Sequence, residues 1–184
     1  MTSPSRQQQD AAQQFVSLVI GAIKTDKGVH AETAIAATAR MGGTFLFRSF
    51  EFPLTEVAPG QAVFSDAANE QGPKLVQILG KVLAHIGFKL DSAKLGAARN
   101  PDFQPLLDFL STQRQLEPLF CRVKDDLNLS YVEAAESAAM ATGLLIQKCG
   151  SVLEPHCAFD IAAYGLVEGS KTAPDPVVIA RAAV

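Results

Sequence analysis

The chain has 184 residues, 48% hydrophobic and 19% charged, with a formal net charge of −3, long enough to bury one real core. That acidic balance, without a run of Lys or Arg, excludes a general nucleic-acid binder, which needs a basic face to displace counterions from phosphates. Three cysteines without C-x-x-C spacing exclude a disulfide framework and point to a reducing compartment.

Residues 1–9 are polar, Gln-rich and without an apolar anchor, so they read as a disordered N-terminal arm, with residues 10–184 forming a single helical domain. From Asp10 to Lys24 the apolar set Ala12, Phe15, Val19, Ala22 and Ile23 keeps to one face, opposite Gln13, Ser17 and Lys24. That is an amphipathic helix. Thr25-Asp26-Lys27-Gly28 is a short connection, which makes the next helix its antiparallel neighbour.

Residues 30–52 carry the clearest signal. At 100° per residue the polar side chains of this stretch fall on one narrow stripe of Thr33, Arg40 and Thr44, continued by Glu51, and the rest of the surface is small or apolar. A helix apolar almost all round must be wrapped by other elements, so it is the nearly fully buried central helix of an all-α bundle. Arg40 and Thr44 are expected among its more accessible residues. No stretch is long and apolar enough to span a bilayer, and the N-terminus lacks the basic-then-apolar order of a secretory signal. A soluble cytoplasmic protein is expected.

The stretch 53–71 has no helical periodicity; Ala58-Pro59-Gly60-Gln61 suits a type II turn, and a small β-hairpin pairing Val57 with Val63 fits here. Gly72-Pro73 restarts a helix with Pro in first position, and Leu75, Val76, Ile78, Leu79, Val82, Leu83 and Ile86 share its face until Gly87 closes it. Residues 88–101 read as a connection with one helical turn at most. Asp102 suits the N-cap of a helix from Phe103 to about Gln115, and Pro118 opens another whose face is Leu119, Phe120, Val123 and Leu127. Ser130 caps a long Ala-rich helix to about Lys148, and Pro155 opens one through Glu168. The tail DPVVIARAAV suits either a short helix capped by Asp175 or an extended segment. The total is six to seven helices.

Two patterns link the halves. Ala39-x-x-x-Gly43 and Ala135-x-x-x-Ala139-x-x-x-Gly143 place small residues at the spacing that lets helix backbones approach, so these two helices are expected to cross. The stretches AIKTDKGVHAETA and RVKDDLNLSYVEAA, about 100 residues apart, look alike in a way that a duplicated helix hairpin would explain.

Residues able to carry chemistry are sparse. His30, His85 and His156 lie in no metal-binding spacing, so no metal and no cofactor are expected. His30 and Glu32 point about 200° apart on a helix and face one ion only if His30 precedes the first turn. Glu32 suits the helix dipole or a buried carboxylate. His156 and Asp160 lie one turn apart, as an exposed pair or as two ligands of a site completed elsewhere. Cys157 next to His156 points about 100° off it. Glu133 and Glu136 fall on a polar arc and read as a solvated face. Arg40 and Arg48 have the chemistry to anchor a carboxylate, from a neighbouring helix or from a ligand.

No nucleotide loop or nucleophile elbow is present, so an activity is not legible and enzyme status stays open. The leading expectation is a non-enzymatic protein acting through association, chiefly with itself, because Ala-rich helices and an apolar tail offer more apolar surface than one core requires. The alternative is a small-molecule binder or enzyme with a pocket between helices under the 53–71 loop, lined by His30, Glu32, Arg40 and Arg48.

Overall fold

The computed structural model describes residues 3–52, 57–96 and 104–176. Among the described residues there are six α-helices: α1 (Arg6–Ile23), α2 (Ala31–Arg48), α3 (Asp66–His85), α4 (Phe109–Asp126), α5 (Tyr131–Cys149) and α6 (Pro155–Lys171), with one 3-10 turn at Ser92–Lys94. The protein is all-α.

α1 starts at Arg6, ahead of the expected Asp10, because Ser5 and Gln8 form a reciprocal capping box that satisfies two otherwise orphaned N–H groups. Gln8 is buried and donates to Glu136 of α5 at 2.7 Å. Pro73 and Pro118 lie inside α3 and α4 rather than opening them. In each case an earlier cap, Ser65 or Asp108, nucleates the helix, which then absorbs the hydrogen bond that proline forgoes. The expected Asp102 cap and Phe103 start lie outside the described residues; the observed start is Phe109.

The turns before α2 and α5 match: Gly28 and Asn128 both adopt positive φ, 101° and 51°, and His30 and Ser130 occupy the N-cap positions that follow. The packing matches as well. α4 and α6 lie on α2, α1 and α3 lie on α5, and α2 crosses α5. Each long helix is therefore covered mainly by helices of the other half. The short connection does not make α1 the chief support of α2, since α1 leans foremost on α5.

α2 is buried almost all round, with only Glu32 and Arg48 of its 18 residues outside the buried class. At Gly42 it meets Ala138 of α5, where an added Cβ would lie 3.3 Å from the Ala138 methyl. Gly43 faces α6 instead, and Gly143 faces Leu79 and Val82 of α3, so the small-residue stripes serve different neighbours from those expected. Aromatic rings fasten the centre. Phe15 stacks on Phe120 at 4.0 Å between centroids, and Phe45 meets both edge-on.

The hairpin of Val57 with Val63 does not form. Ala62 instead makes an isolated antiparallel bridge with Thr172, so the chain after α6 supplies the partner. That chain is extended at Thr172 and forms no helix through Pro176, and the rest of the tail lies outside the described residues.

Candidate functional site

The polar stripe of α2 is buried, not exposed: Arg40 is 8% accessible and Thr44 fully enclosed. Its partners come from distant parts of the chain. Arg40 Nε donates to Glu168 Oε2 of α6 at 2.6 Å and Nη1 to the Leu107 carbonyl. Thr33 Oγ1 accepts the Leu106 N–H at 2.9 Å, so the stripe fixes the segment that leads into α4. Thr44 Oγ1 is buried with no hydrogen-bond partner among the described residues.

At the far end of α2, Arg48 meets Glu117 of α4 in a two-pronged pair, Nε to Oε1 at 2.8 Å and Nη2 to Oε2 at 3.1 Å. Glu117 and Gln113 are 2% and 3% exposed, and Gln113 Nε2 donates to Glu117 Oε2. This network encloses the segment after α6. Asp175 N–H donates to Gln113 Oε1 at 2.8 Å; its carbonyl accepts from Gln113 Nε2 at 3.1 Å and from Arg48 Nη2. On the other side Ala173 N–H donates to Gln61 O at 2.9 Å and Gly60 N–H to Ala173 O at 2.8 Å. Residues 172–175 thus lie as a strap in a cradle built by α2, α4 and the 57–65 loop. A buried carboxylate is tolerated here because bidentate guanidinium and amide donors replace its water.

The four sequence-nominated residues do not converge. His30 is the N-cap of α2, ahead of the first turn, so its Nε2 does reach Glu32, at 3.4 Å, while Nδ1 contacts Thr33 Oγ1 at 2.8 Å. Arg48 stands sixteen residues further on, roughly 24 Å along the helix at 1.5 Å per residue. Both arginines have their guanidinium groups committed to carboxylates of other helices, which makes them structural anchors. Glu32 lies close enough to Cys149 to add to the burial that raises that thiol's pKa.

The other nominated groups also have local duties. His156 Nε2 accepts the Asp91 N–H at 2.9 Å, and Asp160 Oδ2 accepts the Gly96 N–H at 2.8 Å, so both pin the 91–96 segment to α6. Glu133 closes the Ser130 capping box, and Glu136 holds Gln8. His85 is exposed. Burial, followed by a hydrogen bond and charge from Glu154, raises the Cys157 thiol, opposite to what a nucleophile needs. Among the described residues no group of three or more His, Cys, Asp or Glu is placed to hold a metal ion, and no helix is long and apolar enough to cross a membrane.

Sequence reasoning missed Gln113 and Glu117, and weighed Asp175 only as the cap of a tail helix. The available signal was two polar residues four apart on the apolar face of α4, hidden by ending the helix before Pro118. Two surface cavities lie away from the stripe: one of about 410 Å³ between α3 and α6, lined by Ala68, Gly72, Pro73, Val76, Val167 and Lys171 among others, and one of about 340 Å³ among α1, α3 and α5. Compared with known proteins, the chain matches no family model, no curated protein and no solved structure.

Proposed function

We propose that this protein works by association with copies of itself. The observation that carries the reading is the outer face of α6. Tyr164 and Val167, three residues apart on that face, are 61% and 41% exposed, and Val167 continues into the groove it shares with Ala68, Gly72, Pro73 and Val76 of α3. Large apolar side chains beside a shallow apolar groove gain most by being covered by a protein surface. Two copies related by a two-fold axis would each lay the α6 ridge against the other's α3–α6 groove, an isologous contact.

Sedimentation equilibrium at micromolar concentration tests this. A dimer is expected, together with its weakening by Val167→Glu, which adds a charge to the face without touching the core. A 19.5 kDa species at all concentrations overturns the reading.

A further inference from the structure

Two side chains of α6 hold the connection that follows α3. His156 Nε2 accepts the Asp91 N–H at 2.9 Å, and Asp160 Oδ2, one turn later, accepts the Gly96 N–H at 2.8 Å. Between these points runs the 3-10 turn Ser92–Lys94, capped by the Asp91 carboxylate at the Ala93 N–H. Leu90 and Leu95 are half-buried against the core, and residues 91–94 are exposed. With so little apolar cover, the two hydrogen bonds are a large share of what keeps the segment in place.

The two acceptors differ in kind. A carboxylate accepts at any pH well above about 4, whereas an imidazole nitrogen accepts only while it carries no proton. A backbone N–H can only donate, so the Asp91 contact requires the neutral tautomer of His156 with its proton on Nδ1, where Glu154 Oε1 receives it. Both ring nitrogens are thus committed, on a side chain 12% exposed. A proton added to Nε2 sets two N–H groups against each other, and that contact must open.

The charges around the ring favour the proton. Glu154 and Asp160 belong to its own element, and Cys157 beside it stays a neutral thiol. The 91–96 segment brings the Asp91 carboxylate and Lys94. α2 runs alongside α6 in the same direction, with Gly165 beside Ala36 and Gly169 beside Gly43, so its contribution at this end is Glu32 with His30. α5 carries Lys148 in its last turn, and α3 meets α6 at the other end, around Val167 and Lys171.

We propose that this contact is an acid-sensitive latch, in which a proton on His156 Nε2 breaks the Asp91 bond and releases that end of the 3-10 segment, with Leu90, from the start of α6. The open state then holds one more proton than the closed one. Opening is disfavoured above the pH at which a released imidazole titrates, about 6.5, and below that pH its equilibrium constant grows by up to about tenfold per pH unit.

The test follows the nitrogen shifts of the His156 ring and the hydrogen-exchange protection of the Asp91 N–H in the full chain between pH 5 and pH 8. Expressing exchange as protection factors removes its intrinsic pH dependence. The expected result is the Nδ1–H tautomer at pH 8, protonation of the ring as pH falls, and loss of Asp91 protection over the same interval, while the Phe88 N–H, bonded to Leu83 O, keeps its own. His156→Gln, whose Oε1 accepts at every pH, is expected to hold Asp91 protection constant across the range; His156→Ala is expected to lose it throughout. Asp160→Asn retains an oxygen for Gly96 and is expected to leave the profile unchanged. The ring and exchange measurements on the parent chain decide the matter even where a variant fails to fold. A ring protonated on Nε2 at pH 8, a ring that stays neutral down to pH 5, or Asp91 protection that ignores the ring's titration overturns the latch.

Discussion

Gly43 and Gly169 touch backbone to backbone: a Cβ built on Gly43 would stand 2.7 Å from the Gly169 Cα, and one on Gly169 would stand 2.9 Å from the Gly43 Cα. Glycine on both sides is what allows α2 and α6 to pack at this distance. Gly43→Ala is therefore expected to destabilise by about 3 kcal/mol, the upper end for overpacking, because backbone cannot yield as a side chain does. Gly80→Ala, at a helical site with nothing within 4 Å, is expected to stabilise by about 0.5–1 kcal/mol. Chemical denaturation of the two variants measures the contrast; equal effects would place the close crossing elsewhere.

Removing Arg48 leaves Glu117, 2% exposed, as a buried charge without its counter-ion. Arg48→Ala is expected to cost about 3–5 kcal/mol. Combining Arg48→Met with Glu117→Leu should recover part of that loss, since an apolar pair needs no desolvated charge. A thermal melt of Arg48→Ala indistinguishable from the parent would show that the pair contributes nothing.

How far the sequence disclosed this arrangement depends on where a residue's partners lie. The burial of α2 was legible because Ala34, Ile35, Ala39, Leu46 and their neighbours surround one helix, and periodicity is a local property. The fate of the polar stripe was not. Arg40 and Arg48 meet Leu107, Glu117, Glu168 and Asp175, 67 to 128 residues away, and no local pattern distinguishes a stripe facing water from one facing distant carboxylates. The capping box at Ser5 and Gln8 was readable in principle as S-x-x-Q, but the polar run around it resembled an arm. The strap and cradle were illegible because the cradle is assembled from three separate segments, α2, α4 and the 57–65 loop, and the strap comes from a fourth.

Burial pushes the Cys121 thiol up to about 11, with the Glu117 charge adding to it. Only the thiolate reacts, so native alkylation of Cys121 at pH 8 is expected to run about a hundredfold slower than that of an unstructured cysteine. The same shift has a sign for stability. The native state retains the proton that the unfolded chain releases near pH 9, so this contribution is intact below that pH and is lost as pH rises toward 11. Peptide mapping after brief iodoacetamide treatment, with and without denaturant, gives the ratio, and a ratio near one would mean that Cys121 is accessible as thiolate.

Hydrogen bonds from the Ser130 backbone and side chain hold the Glu133 carboxyl below its usual range. A lowered carboxylate pKa stabilises above the unfolded value and is lost as pH falls through the folded one. Ser130→Ala is expected to cost about 1 kcal/mol at neutral pH, and the difference from the parent should shrink on acidification below pH 4. Denaturation curves at pH 7 and pH 3 provide the check. A gap that stays constant would show that the cap works without the Glu133 charge.

The interleaving of the halves also sets an order of events during synthesis. α2 packs most extensively on α6, a helix that begins more than a hundred residues later. Until that helix leaves the ribosome, the apolar circumference of α2 has no permanent cover, and local helix formation cannot hide it. Helical proteins usually fold fast because their contacts are local; this chain has helical secondary structure and long-range closure. Its nascent form therefore carries the stripe of Ala36, Ala39 and Gly43 that meets α6 uncovered for most of translation, the condition under which chaperone capture competes with folding.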